Sequence, residues 1–186
     1  MMNTLTIEKT KTQTVADYLL LGEMNTPCQL INGEIIMSPS PRPLHQIVLS
    51  DLNDILKLYA RKHGDLVLFA PMDLYIDNKN VFQPDLIYIK KRNRGIVTDR
   101  GVEGVPDIVV EVISPSNIFT DRNIKKKTYL KMGVGEFWIV DPANQTLEIY
   151  RSDQEDPETP SLYIIEKGKV TSATLPALKF NLKDIF

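Results

Sequence analysis

The chain has 186 residues, a formal net charge of −2, 42% hydrophobic and 25% charged residues, and one cysteine, Cys28. These values are typical of a globular domain with one core, and they exclude an intramolecular disulfide and a protein that coats nucleic acid through overall basic charge. The start MMNTLTIEKTKTQT lacks the apolar core of a signal peptide, and no apolar run approaches the roughly 18 residues of a membrane helix. We therefore expect one cytoplasmic domain over residues 1–186, with about the first 13 residues disordered.

The first quarter of the chain predicts a short helix and a hairpin. Thr14 and Asp17 have the spacing of a capping box before YLLL. Two short strands, 29–31 and 34–37, flank the turn dipeptide Asn32-Gly33. The proline-rich stretch SPSPRP ends this hairpin, because proline cannot donate to a strand ladder.

The middle of the chain predicts a long helix followed by strands. Apolar residues recur with a helical period over 45–62, and His63-Gly64 ends that helix. DLVLFAPMDLYID and NVFQPDLIYI read as two strands of a hairpin around DNKN. DIVVEVI is almost continuously apolar, which favours a central strand covered on both faces.

The remaining sequence predicts a second helix and further hairpins. TDRNIKKKTYLKMG has Thr120 or Asp121 as a cap and Gly133 as a stop. EFWIVD and TLEIYR form a hairpin around PANQ, and LYIIEKGKV suggests another. The order of helices and strands predicts an α/β layered domain with a mixed sheet.

Three acidic residues, Asp85, Asp107 and Glu111, lie among residues that favour burial. Asp107 and Glu111 are on one strand, roughly 13 Å apart, so they cannot share a metal ion. Asp85 and Glu111 are on different strands, and their carboxylates can meet if those strands are neighbours. A buried carboxylate is costly unless it is paired, hydrogen-bonded or metal-bound. A metal site and a buried pair with Arg or Lys both remain open, whereas for Asp107 a local turn is favoured.

The second helix can bring a cation to the same place. Asp121, Lys125 and Tyr129 follow i, i+4, i+8 spacing and therefore line one face, whereas Lys126 and Lys127 point elsewhere. An ammonium beside the acids could position a nucleophile or stabilise developing negative charge. The alternative is an exposed basic helix face.

The ordered segments VFQPDLIYI, VPDIVVEVISPS and DRNIKKKTYLKMGVGEFWIVDP resemble the Uma-two-type restriction-endonuclease-like family of the PD-(D/E)xK nuclease superfamily. LINGEIIMSPSPRPLHQ, FAPMDLYI and LEIYR are similar to that family's other segments, and the resemblance covers roughly residues 15–186. It implies an α/β, restriction endonuclease-like fold, with a mixed β-sheet core flanked by helices and additional β-hairpins.

The resemblance also implies roles for individual residues. Asp85 matches the PD acid and Glu111 the D/E acid, and both would hold the metal. Ile113 stands where the motif has lysine, and Lys125 on the next helix matches the migrated lysine, with Lys126 or Lys127 as alternatives. Two further family matches are Glu34, as an additional acid, and His45, which either has a capping or hydrogen-bonding role or transfers protons.

The implied activity is cleavage of DNA by an endonuclease that depends on Mg²⁺ or Mn²⁺. Asp85 and Glu111 would bind the ion, with the Val112 carbonyl as a third protein ligand and Lys125 orienting the attacking water. The segment 90–131 carries 10 basic and 5 acidic residues. We expect its cations to follow the DNA backbone, although charge alone favours a solvated face. They are Lys90, Lys91, Arg92, Arg94 and Arg100.

Two other functions stay open at this point. The fold could be a catalytically inactive scaffold that binds nucleic acid or dimerises, as the overall acidic charge and Ile113 suggest. It could instead be a metal-dependent hydrolase of a small phosphate compound, for which a deep closed pocket would be the distinguishing feature. A homodimer is expected by analogy with enzymes that cut both strands.

Overall fold

A computed structural model describes residues 12–22 and 26–186. Of the roughly 13 N-terminal residues predicted to be disordered, residues 1–11 lie outside the described range and residues 12 and 13 lie within it. Of these, Gln13 donates its backbone N–H to the Gly33 carbonyl at 2.8 Å. None of the helices in the described ranges is both long and apolar enough to cross a lipid bilayer.

Fourteen strands and three α-helices make up most of the described chain. The helices are α1 (Val15–Leu19), α2 (Pro43–His63) and α3 (Lys126–Met132). Short helical turns add a 3₁₀ turn at Lys91–Ile96, a π-helical turn at Thr120–Lys125 and a 3₁₀ turn at Leu182–Asp184. The strands are β1 (Cys28–Ile31), β2 (Glu34–Met37), β3 (Leu66–Phe69), β4 (Leu74–Asp77), β5 (Asn80–Phe82), β6 (Leu86–Ile89), β7 (Val97–Thr98), β8 (Gly101–Glu103), β9 (Ile108–Val112), β10 (Glu136–Asp141), β11 (Thr146–Tyr150), β12 (Leu162–Ile165), β13 (Lys169–Thr171) and β14 (Lys179–Asn181).

The central sheet has the strand order β12-β11-β10-β9-β6-β3, with β9 and β10 parallel and the other pairs antiparallel. Helix α2 packs on one face through Val48, Leu52 and Leu56, which share a core cluster with Val110 and Trp138. The other face packs against α3 and a second six-stranded sheet, which we call the flanking sheet, of order β2-β1-β5-β4-β8-β7. Both the mixed sheet flanked by helices and the fully buried central strand β9 are therefore confirmed.

The prediction that DLVLFAPMDLYID and NVFQPDLIYI each form one strand is wrong. Each divides in two: β3 and β6 pair in the central sheet, and β4 and β5 pair in the flanking sheet. The breaks contain Pro71 and Pro84, which have no N–H to give to a ladder. The hairpin thus passes from one sheet to the other, and Asp85 lies at that crossing.

The long helix is confirmed and begins two residues earlier than predicted. Pro43 occupies its first turn, where a missing N–H is tolerated, and Gly64 ends it with φ 70°. The predicted cap of the second helix is wrong. Phe119 precedes the π-helical turn without a side-chain cap, and the Asp121 carboxylate instead points into the core, 3.2 Å from the Lys125 ammonium.

Candidate active site

Asp85 and Glu111 meet where β6 begins and β9 ends. Leu86 pairs with Val110 in antiparallel register, so Asp85, one residue earlier, lies beside Glu111, one residue later. The Val112 N–H donates to Asp85 Oδ2 at 2.7 Å, which ties the carboxylate to the end of β9. The condition for the two carboxylates to meet is therefore fulfilled: β6 and β9 are neighbouring strands, and the two acids share one end of the sheet.

The second helix delivers Lys125 to Glu111. Its Nζ lies 2.9 Å from Glu111 Oε1 and 3.2 Å from Asp121 Oδ1, and Tyr129 donates its hydroxyl to the same Glu111 oxygen at 2.8 Å. The predicted common face of Asp121, Lys125 and Tyr129 is thus confirmed. Of the alternative lysines, Lys126 pairs with Glu158 at 2.7 Å and Lys127 is exposed.

Burial dominates the electrostatics of this cluster. It raises the pKa of Glu111 well above the usual value, with Lys125 opposing the shift and Asp121 and Asp85 adding to it. Burial also raises the pKa of Asp121, again against the effect of Lys125. Burial alone would lower the pKa of Lys125, but Glu111 and Asp121 more than offset it, so the pKa is raised and the amine stays an ammonium. Lys125 thus contacts the carboxylates of Glu111 and Asp121, and the charge of Asp85 adds to the rise of its pKa.

His45 joins the site from the first turn of α2. Its Nε2 lies 3.3 Å from Asp85 Oδ2, and its side chain is 11% exposed. Burial lowers the pKa of His45, but the hydrogen bond and charge of Asp85 outweigh burial and raise it. The geometry places a proton-carrying ring against the predicted metal-binding carboxylate rather than at a helix cap.

The cluster forms one wall of a cleft of about 550 Å³. Asp85, Glu111, Lys125 and His45 all line it, together with hydroxyl-bearing and apolar residues from the SPSPRP and ISPSN segments. Among the described lining residues, Arg42 is the exposed cation. A ligand in this cleft can thus reach both acids and the lysine.

The donor set fits a hard divalent cation. The protein contacts of Asp85 fall on Oδ2 and those of Glu111 on Oε1, so among the described residues the second oxygen of each carboxylate is left for a ligand. Within residues 12–22 and 26–186, no three His, Cys, Asp or Glu side chains form a ready-made metal centre. Mg²⁺ does not require one, because it binds through one or two carboxylates and keeps several waters.

Several predicted site residues lie elsewhere. Glu34 is exposed at the start of β2 and is absent from the described residues that line the cleft. Asp107 has the structural role that its position favoured, since Oδ2 accepts the Lys90 N–H at 2.8 Å. The cations of residues 90–94 follow the far end of β6, about 17 Å along the strand from Asp85, and Arg100 pairs with Glu103. None of these five cations is among the described residues that line the cleft, and their contact with the DNA backbone stays a prediction.

Asp121 is the site residue whose role the sequence reading missed. The sequence predicts either Thr120 or Asp121 as a helix cap, whereas the Asp121 carboxylate is 1% exposed and lies against Lys125. The i, i+4 spacing to Lys125 was the available signal, because such neighbours on a helix can form an ion pair.

Comparisons with known proteins identify a family and a similar fold. A family model, Uma2, described as "Putative restriction endonuclease", matches residues 15–183. The fold is similar to a crystal structure of a "putative nuclease belonging to DUF820" from Anabaena variabilis ATCC 29413, with a TM-score of 0.74 and 20% identity over 93% of this chain and 97% of that chain. At this identity the similarity shows the shared fold alone. No curated protein sequence matches the chain.

Proposed function

The chain belongs to the Uma2 family, and from this premise we propose that it is a nuclease that hydrolyses DNA phosphodiester bonds with Mg²⁺ or Mn²⁺. The observation that carries the proposal is the convergence of Asp85, Glu111 and Lys125 on one cleft wall from two strands and a helix. A purely structural ion pair would not need a second carboxylate from a neighbouring strand or an open space in front of it.

Asp85 and Glu111 would hold the cation through the carboxylate oxygens that face away from their protein partners. The chemistry that a bound divalent cation supplies is polarisation of the phosphate and a lower pKa of a water molecule. Both Asp85 and Glu111 are needed to hold the cation between the two strands, since each supplies a ligand from a different strand.

The other residues of the site orient water and the two carboxylates and offset negative charge on the phosphate. Lys125 keeps its ammonium against Glu111, where it can orient a water molecule and offset negative charge on the phosphate. Tyr129 fixes the Glu111 carboxylate through a hydrogen bond to Oε1. His45 holds Asp85 in place and has a proton available at Nε2 beside that carboxylate.

A second candidate is hydrolysis of a small phosphodiester. The cleft volume of about 550 Å³ lies within the range of about 300–1,000 Å³ that takes small ligands. The same residues would act in the same roles, and only the substrate would differ. Cytoplasmic location and homodimerisation stay predictions from the sequence.

The test is cleavage of labelled DNA and of bis(p-nitrophenyl) phosphate with Mg²⁺, Mn²⁺ or EDTA. We expect metal-dependent cleavage by the wild type, and its loss in Asp85→Asn and Glu111→Gln. Asp107→Asn is the matched control, because it changes the other Pro-Asp acid at the far end of the strands. Glu34→Gln should also cleave normally. Equal cleavage by all variants would contradict the proposed site, and metal-independent binding of DNA without cutting would favour the inactive scaffold. Cleavage of the small diester alone would favour the second candidate.

A further inference from the structure

Phe69 is an exposed aromatic residue that lines the same cleft as the two acids. It ends β3, the edge strand of the central sheet, and pairs with Leu86, the residue after Asp85. The following residue, Ala70, donates its N–H to the Asp85 carbonyl at 3.1 Å. The side chain of Phe69 is 53% exposed and lines the same cleft as Glu111 and Lys125.

Phe69 is more exposed than its neighbours in the central sheet. Neighbouring positions of β3 and β6 are buried or half-buried, whereas Phe69 turns a large apolar ring toward the cleft. Lys57, from α2, places its ammonium 5.0 Å from the ring centroid, over the ring. An aromatic ring with an adjacent cation is the combination that proteins use to bind a base by stacking and its phosphate by charge.

The depth of the acids limits what can reach them. Glu111 and Lys125 are each 2% exposed. The cleft of about 550 Å³ has the size of a small-ligand site, whereas an intact duplex is a wide, stiff body. A phosphate in a separated strand can approach such recessed groups, because its bases can turn away from one another.

We propose that Phe69 is a stacking site for a nucleobase next to the bound phosphate, so that the protein prefers single-stranded or locally unpaired nucleic acid to intact duplex. The inference rests on the proposed function and specifies the substrate class of the same site. The base stacks on the ring from the cleft, and Lys57 supplies positive charge beside the strand.

Binding without divalent metal tests the stacking site separately from catalysis. Fluorescence anisotropy would compare a labelled single-stranded 12-mer, the corresponding duplex and an abasic strand with the same backbone. The variants are Phe69→Ala, Phe69→Leu and Phe69→Trp. Tyr163→Ala is the matched control, because Tyr163 is 54% exposed on β12 at the opposite edge of the central sheet.

We expect the wild type to bind the single strand more tightly than the duplex. Phe69→Ala should weaken single-strand binding by about 5- to 150-fold, as for loss of one base–aromatic stack. Phe69→Leu should behave like Phe69→Ala, and Phe69→Trp should bind at least as tightly as the wild type. The abasic strand should bind wild type and Phe69→Ala equally, and Tyr163→Ala should bind all strands like the wild type.

Three results would overturn the inference: equal single-strand affinity of Phe69→Ala and wild type, equal affinity of Phe69→Leu and wild type, or an equal loss on the abasic strand. Tighter binding of duplex than of single strand by the wild type would also overturn it. Metal-dependent cleavage that requires Asp85 but does not respond to Phe69→Ala would remove the stacking site and leave the nuclease proposal intact. Single-strand binding through Phe69 without cleavage under any metal would remove the nuclease proposal and leave the stacking site intact.

Discussion

Replacing Lys125 with methionine removes the cation from a buried group of acids. Its ammonium lies 2.9 Å from Glu111 and 3.2 Å from Asp121, and each of the three residues is at most 2% exposed. Breaking a buried ion pair by removing one partner costs about 3–5 kcal/mol, because a buried charge is left uncompensated. For a domain of this size, that free energy corresponds to a fall in Tm of about 6–20 °C.

The pH dependence of this loss identifies its cause. Burial already raises the pKa of Glu111, and Lys125 opposes that shift, so its removal should raise the pKa further. A glutamate in the unfolded chain titrates near about 4.3. Between that pH and the raised pKa of the folded state, the unfolded chain binds fewer protons, so stability falls as pH rises. The Lys125→Met variant should therefore lose more stability at pH 8 than at pH 5.

Thermal unfolding followed by circular dichroism at pH 5 and pH 8 measures this difference. Lys127→Met is the matched control, because Lys127 is on the same helix with an exposed side chain, and it should unfold like the wild type. Equal Tm values for Lys125→Met and wild type at pH 8, or a larger loss at pH 5, would refute the reasoning.

Three further predictions concern the surroundings of the acids. Asp85 raises the pKa of His45, so the His45–Asp85 pair stabilises the fold fully below about pH 6.5, and this stabilisation is lost as pH rises through the raised pKa. Urea unfolding across this window should show the decline in the wild type and its absence in His45→Asn. Tyr129→Phe removes the hydrogen bond that orients Glu111, and calorimetry should show Mn²⁺ affinity about 10-fold weaker, whereas unchanged affinity would exclude this role. Arg122→Met leaves the buried Glu148 without its 2.7 Å ion pair and should cost about 1–3 kcal/mol in urea unfolding, whereas Arg151→Met, on an exposed pair, should give no measurable change.

The central elements of the fold could be predicted because their patterns are local. The apolar run of β9 reflects burial of the whole strand, and the helical period of α2 reflects burial of one face, and both elements are present. The i, i+4, i+8 spacing likewise placed Lys125 and Tyr129 on one buried face. The spatial meeting of Asp85 and Glu111 could only be stated as a condition, since strand neighbours are not encoded by the spacing within either strand.

The remaining errors arise where tertiary contacts override local patterns. Pro71 and Pro84 signalled breaks in the strands, but the transfer of the hairpin between two sheets depends on how those sheets pack. Aspartate is a common helix cap, yet Asp121 pairs instead with the buried ammonium of Lys125, which is a stronger partner. The position of the basic residues 90–94 was likewise not predictable: they come soon after Asp85 in sequence but lie at the other end of β6, because an extended strand carries the chain away from the site. Their contact with DNA stays a prediction.

Direct binding of Mn²⁺, followed by isothermal titration calorimetry and electron paramagnetic resonance, is the measurement closest to the chemistry of the cleft. We predict that the wild type and Asp107→Asn bind Mn²⁺ with the same affinity, and that Asp85→Asn and Glu111→Gln each bind it much more weakly. Equal binding by all four proteins, or no binding by the wild type, would contradict a cation site between Asp85 and Glu111.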